Sequence, residues 1–335
     1  MTVEEHAVVQ VASPSPHPST LDVPLDARVR VWLRVVRMLR GFGYYPTMAD
    51  MPRVPLERRR GSKPPRWLTL PPPADVTIED HSAASLGLPA AIRAYRAAGV
   101  AGDLPIVVFA HGGGFVNGGL DTMQFLCAHV AAAAGALVVS VDYPLAPETP
   151  YPAALDGCYE ILCWLSEHGG RLGGDRTQVT VMGDSAGGNL AAALCLLARR
   201  KARPHIAGQI LIYPTLDATL SAPRMASESA ERRDECDTFY AYYAADHRRT
   251  DELISPLLAS DLSGLPPALV ITAEHDSLRD DGLLYAQRLS RAQVPVRYTN
   301  YLGMPHGFLS MPRICRAAPQ AVTEIAQMVS RPVRA

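Results

Sequence analysis

The sequence has little that would mark a nucleic-acid, metal or membrane protein. Basic and acidic residues nearly balance, 32 against 33, for a net charge of −1, so nucleic acid is not expected as a partner. Six cysteines (Cys127, Cys158, Cys163, Cys195, Cys236, Cys315) never form a C-x-x-C pair, which argues against zinc or thioredoxin-like redox chemistry and predicts no metal. They fall mostly in apolar stretches and read as buried free thiols in a reducing compartment. Residues 1–20 carry Glu4 and Glu5, then Pro and Ser, without the basic start and apolar core of a secretory signal. No apolar run is long enough to span a bilayer. The expected location is therefore cytoplasmic, with no stable membrane insertion. Internal repeats are absent too.

Within those bounds the chain is an ordinary globular one, 48% hydrophobic and 19% charged over 335 residues, enough for one α/β domain or two small ones. Residues 1 to about 21 are Pro/Ser-rich and are expected to be disordered or loosely held. From about Asp26 to Arg40 the periodicity turns helical, with Val29, Trp32, Leu33, Val36 and Leu39 on one face and Arg30, Arg34 and Arg37 on another. Such a helix either docks on a globular body or, being basic and amphipathic, touches membrane or lipid substrate. A basic, proline-rich link follows. From about Asp75 strands and helices alternate, with near-continuous apolar strands, which predicts a mostly parallel sheet covered on both faces. Ligands then belong at the carboxyl ends of its strands.

The centre of the pattern is Val179 to Gly188, where a β-branched run meets Gly183-Asp184-Ser185-Ala186-Gly187 and a good helix former follows. Strand, tight turn and helix are the context of a nucleophile elbow. Gly183 and Gly187 leave room for the bend while Ser185 projects from it. Three further stretches lie where such a serine needs partners. His111-Gly112-Gly113-Gly114-Phe115 follows the strand 105–110, and its glycines let main-chain N–H groups face a developing oxyanion together with that of Ala186. A dinucleotide-binding loop is the competing explanation, but Asn117 stands where its fingerprint needs glycine. Asp276 follows the strand 268–273 and suits a carboxylate that orients a histidine; Asp280 and Asp281 compete but open the next helix, where acids commonly cap. In this architecture the triad runs serine, acid, histidine, and only His306 follows Asp276.

The set His111-Gly112-Gly113-Gly114, Asp142 to Glu148, Gly183 to Asn189, Asp276 to Asp280 and His306-Gly307-Phe308 resembles the bacterial hormone-sensitive-lipase-like esterases of the GDSAG type, over about residues 75–310. The resemblance implies an α/β-hydrolase fold with a central, mostly parallel eight-stranded sheet, flanking helices and a helical cap. It implies carboxylesterase activity on short- to medium-chain acyl esters, a small-molecule ester substrate, no cofactor and frequent homodimers. It makes Ser185 the nucleophile, Asp276 the acid, His306 the base, and Gly112, Gly113 and Ala186 the oxyanion donors. Ser277 departs from the family, which usually has proline there. The implied organisation is an N-terminal segment 1–70 with a cap helix, a catalytic domain 71–214 and 263–335, and a cap insertion 215–262. Phe115, Asp184, Phe239 and Tyr243 are candidates for the substrate pocket, although the aromatics at 239–243 could equally pack the insertion's own helix. A non-catalytic receptor-like relative is the alternative class, as is the same machinery acting on amides, lactones or carbamates.

Overall fold

A computed structural model describes residues 8–11, 24–41, 48–100 and 102–330. Among these, nine strands make one sheet: β1 (Val8–Val11), β2 (Val76–His81), β3 (Ile92–Ala97), β4 (Leu104–Ala110), β5 (Leu137–Val141), β6 (Gly174–Asp184), β7 (Gly208–Ile212), β8 (Ala268–His275) and β9 (Val296–Pro305). Their order is β1-β9-β8-β7-β6-β4-β5-β3-β2. Pairing is parallel from β9 through to β5 and antiparallel at β5–β3, β3–β2 and β1–β9. The eight strands expected from the sequence are all present. The ninth, β1, comes from a stretch expected to lack regular structure: Val8-Val9-Gln10-Val11 pairs with β9 from Val8↔Tyr301 to Val11↔Tyr298. Otherwise the N-terminal 21 residues lie outside those described.

The helices are α1 (Ala27–Gly41), α2 (Leu56–Arg60), α3 (Ala83–Leu86), α4 (Gln124–Ala134), α5 (Ala153–His168), α6 (Ala186–Lys201), α7 (Pro223–Ala226), α8 (Ala230–Ala244), α9 (Arg279–Arg291) and α10 (Ala318–Ser330). They cover both faces of the sheet because its strands are apolar on both. Ile106 and Val108 of β4 point into a cluster with α5, α6 and α9. Their neighbours Val107 and Phe109 point into another with α4 and α10. Each such side chain contributes about 1.5–3 kcal/mol on full burial. A strand that is buried on both faces loses the alternation of an edge strand and is held by this two-sided packing.

Two consequences position the site. First, β4, β6, β8 and β9 end at Ala110, Asp184, His275 and Pro305, so His111, Ser185, Asp276 and His306 each stand at the first step beyond a strand's carboxyl end. Second, residues 215–262 leave the sheet between β7 and β8 and carry α7 and α8. Buried polar groups tie this insertion down at its base. The side-chain amide of Asn189 donates to the carbonyls of Thr215 (2.9 Å) and Ile254 (2.8 Å). The Asp281 carboxylate accepts the N–H groups of Leu216 (2.7 Å) and Asp217 (3.1 Å), and Asp280 accepts that of Arg224 (3.0 Å). On α8, Cys236, Phe239, Tyr240, Tyr243 and Ala244 are buried, the i, i+3, i+4, i+7, i+8 stripe of a helix laid on a core.

Candidate active site

The turn from β6 into α6 is as tight as its glycines suggest. A Cβ on Gly183 would overlap the carbonyl of Gly187, and one on Gly187 would overlap the carbonyl of Ala110. Ser185 sits at φ 54°, ψ −117°, a backbone conformation that non-glycine residues adopt only where surrounding structure holds it. What holds it here is the Ser185 N–H bond to the carbonyl of Ile212 (2.8 Å) and the bonds that its own carbonyl accepts from Asn189 (3.2 Å) and Thr215 (3.3 Å).

Ser185 Oγ lies 3.0 Å from Nε2 of His306, and Nδ1 of the same ring lies 2.7 Å from Oδ2 of Asp276. The Asp276 carboxylate offers acceptors, so Nδ1 carries the proton and Nε2 is left to accept the serine hydroxyl. The other Asp276 oxygen accepts the N–H of Leu278 at 3.0 Å, and the carboxylate is fully buried. The ring is backed edge-on by Tyr213, centroids 4.9 Å apart. Asp280 and Asp281 are committed to the insertion described above, and Asp280 is also paired with Arg279 at 3.1 Å.

Beside Ser185, the loop after β4 is forced into an unusual course: Gly113, Gly114 and Phe115 have φ of 125°, 61° and 64°. A Cβ at Gly113 would coincide with the carbonyl of Asn117. His111 props the loop from within: its Nδ1–H donates to the carbonyl of Gly112 (2.8 Å), its ring stacks on Tyr143 at 4.2 Å, and the Tyr143 hydroxyl donates to its carbonyl (2.6 Å). Burial pushes the His111 pKa down to about 4, so it stays neutral at physiological pH. Among the described residues the N–H groups of Gly113, Gly114 and Ala186 have no protein acceptor.

The alpha/beta hydrolase fold family matches residues 107–310, more than half of the chain. The carboxylesterase NlhH of Mycobacterium tuberculosis is 42% identical over 285 residues, 82% of this chain and 88% of that protein. This chain belongs to the hormone-sensitive-lipase-like esterases. It is a carboxylic ester hydrolase. Other relatives of the esterase include the ethyl acetate hydrolase of Pseudomonas putida, 37% identical over 67% of this chain and 72% of that one. Among solved structures, a hyperthermophilic esterase from the archaeon Pyrobaculum calidifontis superposes with a TM-score of 0.75, is 34% identical, and covers 92% of this chain and 98% of its own.

Four of the expected site residues are corrected by geometry. Gly112 is not free to serve as an oxyanion donor, because its N–H is taken by Asp184 Oδ1 at 2.7 Å. Asp184 accordingly lies buried beneath the glycine loop instead of lining a pocket. Phe115 and Tyr243 are also fully buried and stack on each other at 3.7 Å; they join α8 to the loop as packing. Phe239, also buried, packs on the glycine loop, its Cβ 3.2 Å from where a Cβ on Gly114 would be. Two contacts were missed in the sequence. One is Tyr213, whose only signal is an aromatic at the end of a buried strand. The other is Arg232 of α8, whose Nε–H donates to Ser277 Oγ at 3.1 Å. The serine that replaces the family's usual proline thus accepts a bond from the insertion right beside Asp276.

Asp184 gives a testable stability effect. Its carboxyl pKa is pushed up to about 6 by burial, against the opposing pull of the Gly112 N–H and the His306 charge. Because the folded value exceeds the ordinary 3.8, the neutral acid favours folding. Its contribution is complete below the unfolded value and lost as pH rises through about 6. Asp184→Asn keeps an acceptor and should flatten this part of the stability–pH curve. Asp184→Ala leaves the buried Gly112 N–H unsatisfied and should lower stability by about 1–3 kcal/mol. Urea unfolding of the three proteins across pH 4–7 checks both; identical curves for wild type and Asp184→Asn would refute the assignment.

Proposed function

We propose that this esterase cleaves short- to medium-chain acyl esters through a covalent acyl-enzyme. Ser185 Oγ attacks the ester carbonyl as His306 Nε2 takes its proton, and Asp276 holds the ring and stabilises the imidazolium. The N–H groups of Gly113, Gly114 and Ala186 stabilise the oxyanion, an interaction that strengthens as charge develops. The imidazolium returns the proton to the departing alcohol, and water deprotonated by His306 then releases the acid. The observation that carries this reading is the relay of 3.0 Å and 2.7 Å from Ser185 through His306 to Asp276.

The insertion 215–262 acts as a cap, with Phe239 against the acyl-binding side of the glycine loop. A relative that hydrolyses ethyl acetate supports a small acyl group. Six free cysteines, five of them buried, suit work in a reducing compartment. A panel of p-nitrophenyl esters of increasing acyl length, run beside p-nitroanilides, tests the substrate class. The expected result is highest kcat/KM among the short to medium esters, with each anilide slower by several orders of magnitude. Anilide turnover within about tenfold of the matching ester would overturn it. A fluorophosphonate probe should label wild type and not Ser185→Ala, since only an activated serine reacts.

A further inference from the structure

Helix α1 presents apolar side chains on two opposite sides. Val29 is fully buried in the same cluster as Met304 and Phe308, and the Asp26 N–H donates to the carbonyl of Gly303 at 3.2 Å. The inner face of α1 therefore sits on the segment that carries His306. The outer face is the unusual one. Among the described residues seven large hydrophobic side chains are exposed, and three of them, Val31 (60%), Val35 and Met38 (57%), lie on this outer face, while exposed Leu33 stands on the Val29 side. A fifth, Trp67 (56%), lies beside it, edge-on to Trp32 at 4.9 Å. Val31, Val35 and Met38 are spaced i, i+4, i+7, so they form one stripe, turned away from Val29. Exposed apolar residues scattered singly need no explanation, but a contiguous set does.

The charge around the stripe selects the partner. α1 holds five arginines and no acidic residue. Arg28 flanks the stripe on one side and Arg30 and Arg34 on the other; all three are exposed, and among the described residues no guanidinium of the three forms an ion pair, the Asp26 carboxylate taking only the main-chain N–H of Arg28 at 2.8 Å. An apolar stripe bordered by unpaired arginines is the composition of a helix that lies in a lipid–water interface, with its apolar edge among acyl chains and its cations at anionic headgroups. A two-fold contact with a second copy would instead bring the arginines of one helix against those of the other.

We infer that the outer face of α1, together with Trp67, docks this esterase onto anionic lipid surfaces. Docking there holds the His306 segment next to the interface, into which apolar short- to medium-chain esters partition from water. The docking itself requires no turnover.

Flotation of the full chain with phosphatidylglycerol–phosphatidylcholine vesicles and with pure phosphatidylcholine vesicles tests this. Wild type should float with the anionic vesicles at low salt, much less at high salt, and little with the neutral ones. Val31→Ser/Met38→Ser and Arg30→Glu/Arg34→Glu should each weaken that binding at least about tenfold. Circular dichroism and an unchanged melting temperature establish that the variants are folded, as exposed positions allow. Absence of wild-type binding, or binding unaffected by both double variants, overturns the proposal. So does a wild-type dimer that dissociates in Val31→Ser/Met38→Ser without vesicle binding, which assigns the face to a second copy. The assay reads binding alone, so its failure leaves Ser185-dependent hydrolysis untouched.

Discussion

Ser185→Ala is expected to lower kcat on p-nitrophenyl esters by at least about 10⁴, with KM little changed. The size follows from where the hydroxyl stands. Its Oγ is 3.0 Å from His306 Nε2, so the variant loses both the nucleophile and the only proton that the imidazole is placed to take. What survives is binding and the main-chain donors, which by themselves still accelerate hydrolysis over water. Alanine loses only the hydroxyl, and the strained φ is held by backbone bonds from neighbouring segments, so the variant should fold. Steady-state kinetics with matched circular dichroism spectra check this. A residual rate within about tenfold of wild type would sink the nucleophile assignment.

The second large effect separates three neighbouring acids. Asp276→Asn should reduce kcat by about 10⁴, because an amide can present its NH₂ to Nδ1 and favour the wrong ring tautomer. The geometry survives the change while the function does not. Asp280→Asn and Asp281→Asn should leave the chemical step nearly intact and act on stability. Asp281 accepts two N–H groups at the base of the insertion, and its burial pushes its carboxyl pKa far up, so the neutral amide is a fair substitute there. Asp280 has the Arg279 guanidinium at 3.1 Å, and its loss leaves a buried cation short of a partner. Kinetics and urea midpoints for the three variants give the pattern; a kcat for Asp276→Asn close to that of either neighbour would reassign the acid.

How much of this could be read from the sequence follows from which interactions are local. The elbow was legible because its requirements sit within five residues: two glycines where a Cβ would meet a carbonyl, one serine, and a helix former after it. The strands were legible as apolar runs, and chain order left His306 as the one histidine after Asp276. The N–H bookkeeping in the glycine loop was not, because it depends on a residue 72 positions away. Nothing in His111-Gly112-Gly113-Gly114 tells which N–H Asp184 will take. The stacking of Phe115 on Tyr243 was equally hidden, since the aromatic cluster on α8 has the same spacing whether it lines a cavity or fills one. β1 was missed because four β-branched and polar residues among prolines and serines carry too little signal for a strand, and it is the edge of β9 that gives them a partner. The face of α1 was half legible: Val29 is buried as the periodicity suggests, but Leu33 is exposed, and the side chain of Leu39 lies outside the described residues.

Ser185, Asp276 and His306 come from strand ends that are far apart along the chain, the serine and the imidazole standing 121 positions apart. No contiguous fragment of the polypeptide contains them all in working order unless β4 through β9 have already assembled side by side. Ester turnover is therefore a gauge of completed folding: during renaturation from urea it should return together with the last-formed tertiary contacts, and it should lag behind the recovery of helix signal.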